Sequence, residues 1–160
     1  MDIGRSATRA CVRPVRLTDA ADLQRNCWPE QSLADVQTYL HWCLVQADKG
    51  RMLRLVAEVD GQVIGGGQLA IYRRDAEIGS LVVAPAWRRR GIGAALLKAL
   101  IGAAEARGVP ALELMASGDV PWLQSWYRRL GFSGDGERVL PGDERVVVMR
   151  KLSLWPPTGT

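Results

Sequence analysis

The chain is poor in the residues that most often carry nucleophilic or metal chemistry, with one histidine and three cysteines in 160 residues. His41 alone cannot complete a zinc set, and Cys11, Cys27 and Cys43 form no Cys-x-x-Cys pair, so no metal is expected. An odd number of cysteines cannot all pair within one chain. Reduced thiols in a cytoplasmic setting are the simpler expectation. A Ser-His-Asp or Cys-His mechanism would rest entirely on His41, which falls in a predicted helix beside Trp42 and reads as structural. Apolar runs such as Leu81-Val82-Val83-Ala84 fall far short of the ~20 residues of a membrane span. Met1–Arg5 leads into no apolar core of an export signal, and neither a membrane nor a secretory route is expected.

What is present is ordinary for one globular domain: 48% hydrophobic and 24% charged residues, with a net charge of +4. The excess of positive charge favours an anionic partner, whether a metabolite phosphate, a nucleic acid or an acidic surface. No internal repeat or low-complexity tract occurs. Residues 1–10 and 153–160 read as tails flanking a domain over 11–152.

Element signals are clear over most of that domain. Cys11–Leu17 alternates apolar with basic or proline residues and predicts a first strand, at an edge because of Pro14. Thr18-Asp19 opens a helix, and Ser32-Leu33-Ala34-Asp35 has the form of a capping box for a longer one ending near Asp48. Met52–Val59 and Gln62–Tyr72 flank the hairpin signal Asp60-Gly61, and a further turn at Arg73-Arg74-Asp75 leads into a strand over Glu77–Val83. Ile92, Leu96, Leu97, Leu100 and Ile101 recur at helical spacing before Gly108. Ala111–Met115 predicts a strand, Pro121–Leu130 a helix, and Phe132 with Arg145–Leu152 the last strands. The order β-α-α-β-β-β-α-β-α-β-β is that of an α+β fold with a mostly antiparallel sheet.

The chemistry concentrates in Val83–Ala94, where a strand runs through a basic loop, Arg88-Arg89-Arg90, into a helix opened by Gly91-Ile92-Gly93. The first amides of a helix have no internal partner and its N-terminus is positive. Two glycines let a phosphate approach the main chain, so the segment reads as a pyrophosphate cradle. A nucleotide P-loop would need Gly-Lys-Ser/Thr where Gly93 is followed by Ala94-Ala95. A dinucleotide fingerprint would need a third glycine where Leu96 stands, and a tighter turn than Ala84–Arg90.

Arg88-x-x-Gly91-x-Gly93 resembles the acetyl-CoA motif R/Q-x-x-G-x-G/A of the GCN5-related N-acetyltransferases (GNAT). Trp126-Tyr127-Arg128-Arg129-Leu130-Gly131-Phe132 is similar to a second signature of that family, and the element order matches over about residues 11–152. The resemblance implies a central mixed, mostly antiparallel sheet with helices on both faces, a three-layer α/β arrangement in some schemes. It implies acetyl-CoA as co-substrate, with its pantetheine arm along Leu81, Val82 and Val83 and its pyrophosphate on the amides of Arg89, Arg90, Gly91, Ile92, Gly93 and Ala94, beside Arg88. Tyr127 corresponds to the tyrosine that protonates the departing thiolate. Glu77 occupies the position of the glutamate base in the histone-acetylating branch. Four residues at ~3.3 Å put it about 13 Å along the strand from Leu81, which calls for a water relay.

The asparagine that many relatives carry seven residues before the tyrosine is replaced here by Val120, beside Asp119. Trp28 and Trp42, on the two early helices, are candidates for the acceptor wall. The expected activity is acetyl transfer to a primary amine on a small molecule, a peptide N-terminus or a lysine, by direct attack in a ternary complex. The alternatives are a noncatalytic acyl-CoA-binding or sensing module of the same fold and, more distantly, a nucleic-acid-binding domain using Arg88–Arg90. A homodimer remains open.

Overall fold

The structure, a computed structural model, describes residues 9–118 and 121–152. The strands are β1 (Cys11–Pro14), β2 (Met52–Val59), β3 (Gln62–Ile71), β4 (Asp75–Val83), β5 (Ala111–Ser117), β6 (Ser133–Val139) and β7 (Arg145–Leu152). The helices are α1 (Ala20–Asn26), α2 (Leu33–Asp48), α3 (Ile92–Ala106) and α4 (Pro121–Arg129). The strands form one seven-stranded sheet in the order β1-β2-β3-β4-β5-β7-β6. It is mixed: β4 and β5 run parallel, as the α3 crossover between them requires, while β1–β2, β5–β7 and β6–β7 are antiparallel. Among the described residues no helix is long and apolar enough to cross a membrane.

The chain gathers into two compact units, one of residues up to 69 with 80–100, the other of 70–79 with residues from 101 onward. In the first unit, Leu23, Val36, Leu40, Val56 and Val63 form an apolar core between α1, α2 and the sheet. The start of α1 is tied down by charge. Arg13 holds Asp19 through two hydrogen bonds of 2.9 Å and reaches Glu58 at 3.1 Å. Burial opposes ionisation of Asp19, but the Arg13 guanidinium and the Arg16 amide prevail and hold its carboxyl below the usual range. Ser32 caps α2 by accepting the Asp35 amide at 3.0 Å, the serine half of the expected capping box.

Gly65-Gly66-Gly67 in β3 decides how closely its neighbours approach. A Cβ on Gly65 would lie 2.9 Å from the Val82 carbonyl oxygen and 3.4 Å from Leu96 Cδ1. One on Gly67 would lie 2.7 Å from Leu81 Cδ1 and 2.9 Å from Leu100 Cδ1. The first turns of α3 therefore seat Ile92, Leu96 and Leu100 against bare backbone, where all three are buried.

In the second unit β5 is paired on both sides, to Asp75–Ile78 of β4 and to Val146–Leu152 of β7. Ile78, Leu112, Leu114, Val148 and Met149 are buried there. β6 is an edge strand, exposed along its whole length and broken by a bulge between Gly134 and Glu137.

The element order expected from the sequence holds, with shifted boundaries. β1 stops at Pro14 instead of Leu17, because the Asp19 carboxylate draws in the Arg16 amide at 2.7 Å and bends Leu17–Asp19 into a 3-10 turn. β4 begins at Asp75, two residues before Glu77, because the Tyr72 amide closes a tight turn on the Asp75 carbonyl at 2.8 Å. The expected tails fall almost wholly outside the described residues, as do Asp119 and Val120.

Candidate active site

The pairing of β4 with β5 runs from Asp75 to Ile78, and two residues later Ser80 takes a left-handed φ of +50°. A residue with a Cβ is strained there, which marks a kink within β4 just past the end of its pairing with β5. Beyond it, Leu81, Val82 and Val83 are half-buried, and the Ala84 amide still bonds the Ile64 carbonyl of β3 at 2.8 Å. A 3-10 turn, Pro85–Trp87, then brings Arg88 back so that its Nε donates to the Val83 carbonyl at 3.1 Å. Arg88 thus fastens the end of β4 to the start of the loop.

Arg89 and Gly91 both have positive φ, +63° and +82°, on either side of Arg90. Alternation of this kind turns successive amides toward one concave side, an anion nest. Among the described residues, no backbone hydrogen bond engages the amides from Arg89 to Ala94; the first helical bond is Ala95 N–H to Gly91 C=O at 3.0 Å. A Cβ on Gly93 would meet only Val83 Cγ2 at 3.9 Å, and one on Gly91 would meet nothing within 4 Å. The protein's own packing does not require bare backbone at Gly93. Donors, dipole and clearance together fit a pyrophosphate. Arg88, Arg89 and Arg90 are exposed around the nest, with the Arg90 guanidinium 4.9 Å over the Trp87 ring.

The same unit contains a cavity of about 520 Å³, walled by Trp28, Asp35, Val36 and Tyr39 on one side and by Ser80, Leu81 and Val82 of β4 on the other. Trp28, a candidate for the acceptor wall, lines this cavity. Trp42 does not; it stacks on Tyr39 at 6.1 Å and extends the aromatic surface outward, 49% exposed. Beneath the wall lies Arg54, 1% exposed, with its guanidinium 5.0 Å over Trp28 and 5.6 Å over Tyr39. Asp35, Tyr39 and Arg54 escaped the sequence reading. One signal was available, a lone arginine inside the apolar run Met52–Val59.

Glu77 and Tyr127 belong to the second unit, on separate elements. Glu77 is half-buried on β4, directly opposite Glu113 of β5 in the parallel register. Glu113 lies 3.7 Å from both Arg138 and Arg150. Burial raises the Glu77 carboxyl above its ordinary range, and the Glu113 charge raises it further against the opposing pull of Arg138. A smaller cavity of about 230 Å³ opens among Tyr72, Asp75, Glu77, Glu113 and Arg138, so water has access to the carboxyl. Tyr127 is 7% exposed on α4, with its ring between Trp126 at 5.2 Å and Phe132 at 6.1 Å. Burial pushes its hydroxyl above the usual tyrosine range, so it stays protonated at neutral pH. The described residues contain no group of three or more His, Cys, Asp or Glu that would hold a metal ion.

A family model described as Acetyltransferase (GNAT) family matches residues 17–132. Among solved structures, the chain is similar to a ribosomal-protein-alanine N-acetyltransferase from Brucella melitensis, with 25% identity and a TM-score of 0.74 over 89% of this chain and 99% of that one. It also resembles PaiA N-acetyltransferase from Thermoplasma acidophilum in complex with coenzyme A, with 20% identity and a TM-score of 0.71 over 91% and 99% of the two chains. A spermidine N-acetyltransferase SpeG chimera from Vibrio cholerae and hSSAT aligns with 19% identity and a TM-score of 0.74 over 89% and 95%.

Proposed function

The chain belongs to the GNAT acetyltransferase family, and from that premise we propose that it transfers the acetyl group of acetyl-CoA to a primary amine by direct attack in a ternary complex. The observation that carries the reading is that, among the described residues, no backbone hydrogen bond engages the amides from Arg89 to Ala94 at the head of α3, where the left-handed Arg89 and Gly91 flank Arg90. These amides would hold the pyrophosphate, and the exposed Arg88–Arg90 side chains would add long-range attraction. The end of the β4–β5 pairing at Ile78 and the kink at Ser80 support a place for the pantetheine arm along Leu81–Val83. An amide of this stretch would donate to the thioester oxygen as charge develops on it.

The chemical step forms a bond between the amine nitrogen and the thioester carbon and breaks the bond from that carbon to sulfur. An amine near neutral pH is mostly protonated, so a base must take its proton before attack. Glu77 serves through water: burial and Glu113 raise its carboxyl, which brings it nearer the working pH. The leaving thiolate takes the phenolic proton of Tyr127, which burial keeps in place. As the amide forms, the attacking nitrogen loses its second proton to water; Glu77 releases its proton to solvent, and the tyrosinate takes one back. Free Cys11, Cys27 and Cys43 are in keeping with a reducing, cytoplasmic setting.

Calorimetric titration with acetyl-CoA, followed by an assay of released CoA thiol over a panel of primary amines, tests the proposal. Saturable acetyl-CoA binding and amine-dependent thiol release are expected. Binding without turnover across the panel would make the chain a noncatalytic acyl-CoA module. Salt-sensitive DNA binding indifferent to CoA would make it a nucleic-acid-binding domain.

A further inference from the structure

Two arginines of the first unit are withdrawn from water, Arg13 half-buried and Arg54 fully buried, and among the described residues only Arg13 is paired with carboxylates. Arg13 carries two carboxylates, Asp19 and Glu58. Arg54, at 1% exposure the largest fully buried side chain, has no carboxylate within ion-pair distance among the described residues. Its Nη1 makes two long contacts, 3.4 Å to the Tyr39 hydroxyl and 3.4 Å to Gln68 Oε1, while the Tyr39 hydroxyl itself donates to Gln68 at 2.7 Å. Among the described residues, its Nε and Nη2 have no hydrogen-bond partner. Gly66 leaves the space beside it clear, since a Cβ there would lie 3.3 Å from Nη2.

The two rings that cover this guanidinium, Trp28 and Tyr39, are also walls of the 520 Å³ cavity. A cation behind an aromatic wall and away from water projects its field into the cavity with little screening. Among the described residues Asp35 is the one carboxylate on that wall; it is exposed, and water attenuates its charge. The buried cation therefore sets the sign of the potential deep in the cavity. A molecule with several ammonium groups would bring more positive charge against it. A molecule that carries an anionic group beside its amine would supply the counter-charge that the fold omits.

We propose that the acceptor is a small amine bearing a carboxylate, of the α-amino-acid class, and that Arg54 selects it through the Trp28–Tyr39 wall. The assignment rests on the transferase reading for the role of the cavity. In it the amine lies toward Leu81 and Val82, and the carboxylate toward the aromatic wall.

The test measures binding, so that it can be separated from turnover. The intact protein, saturated with CoA, is titrated with the common amino acids, each as free acid and as amide, and with spermidine. For the best-bound member, Coulomb attraction over about 9 Å at an effective dielectric near 20 predicts about twentyfold tighter binding of the acid than of its amide. Spermidine should bind more weakly than either. In about 1 M salt, where the Debye length is roughly 3 Å, the preference should persist, because Arg54 is out of reach of the ions. Arg54→Met should bring the ratio near one without changing CoA affinity, and Arg54→Lys should restore part of it. A preference for amides or spermidine, no acid preferred over its amide, collapse of the preference in salt, or an unchanged ratio in Arg54→Met would each overturn the assignment. Should the methionine variant fail to fold, the salt series on the unmutated protein still decides. An acid preference without thiol release would overturn the transferase reading and with it the role of acceptor, leaving Arg54-dependent binding of the amino acid alone; thiol release without an acid preference would overturn only the assignment.

Discussion

The nest at Arg89–Ala94 and the carboxyl site at Glu77 are built by opposite means. The first is made of main chain: amides left free by a helix start, two left-handed residues and a glycine with open space above it. The second is made of side chains drawn from four strands, in which Glu77 owes its raised carboxyl to burial and to Glu113, against Arg138. Tyr127 belongs with the second kind, as one hydroxyl kept protonated by burial. A main-chain site should tolerate exchange of side chains but not added bulk at its open face. A side-chain site should fail atom by atom and shift with each neighbouring charge.

The sharpest test removes one atom. Tyr127→Phe keeps the ring packing and should lower kcat by about 10²–10⁴-fold with acetyl-CoA affinity nearly unchanged, the range of general acid catalysis. Equal turnover at saturating substrates would reduce Tyr127 to packing. At the nest, Gly93→Asp places a carboxylate against the pyrophosphate and should weaken acetyl-CoA binding about 100-fold, as like charges at an interface do. Circular dichroism should be unaltered, and unchanged affinity by calorimetry would remove the pyrophosphate from this loop.

Glu77→Gln should cost about 10²-fold in kcat, the lower end for a base acting through water, and flatten the rise of kcat with pH. Rate should follow the ionised form, so it climbs as pH rises through the raised pKa. A milder change works on the same limb: Glu113→Gln removes a like charge, lowers the Glu77 pKa and should move the rise toward acid by under about one unit. A shift toward alkali would break the argument. The smallest effect belongs to the nest. Arg89→Ala leaves its amide in place, so acetyl-CoA affinity should fall by no more than about fivefold, in line with an exposed charge. A loss as large as that of Gly93→Asp would show the site to depend on side chains after all.

The same division explains what could be read in advance. The nest was legible because a main-chain site needs consecutive residues, and Arg88–Ala94 carries the whole of it. The helices and the central strands were legible from periodicity and turn residues. β6 was not, because an exposed, bulged edge strand reading Ser-Gly-Asp-Gly-Glu-Arg-Val has no buried face to impose alternation. The position of Glu77 was legible, but its pairing with Glu113 and Arg138 was not, since only the parallel register of β4 and β5 brings residues 77 and 113 opposite each other. Arg54 was hardest of all. Its partners are two rings, one just past α1 and one on α2, and a charge held by aromatic faces leaves no carboxylate pattern in the chain.

The bare backbone at Gly65 has a consequence for any attempt to redesign the protein. A methyl on Gly67 would press on the flexible ends of Leu81 and Leu100, and rotamers can yield. A methyl on Gly65 would press on the Val82 carbonyl oxygen, which is main chain, so β4 itself would have to move. Position 65 thus acts as a mechanical stop for the strand that carries Leu81 and Val82, set from the neighbouring strand. On the proposed reading, a library built to change acceptor choice can vary Asp35 while Trp28 and Tyr39, which cover Arg54, stay aromatic; variants at 65 would displace β4 and confound every measurement of specificity.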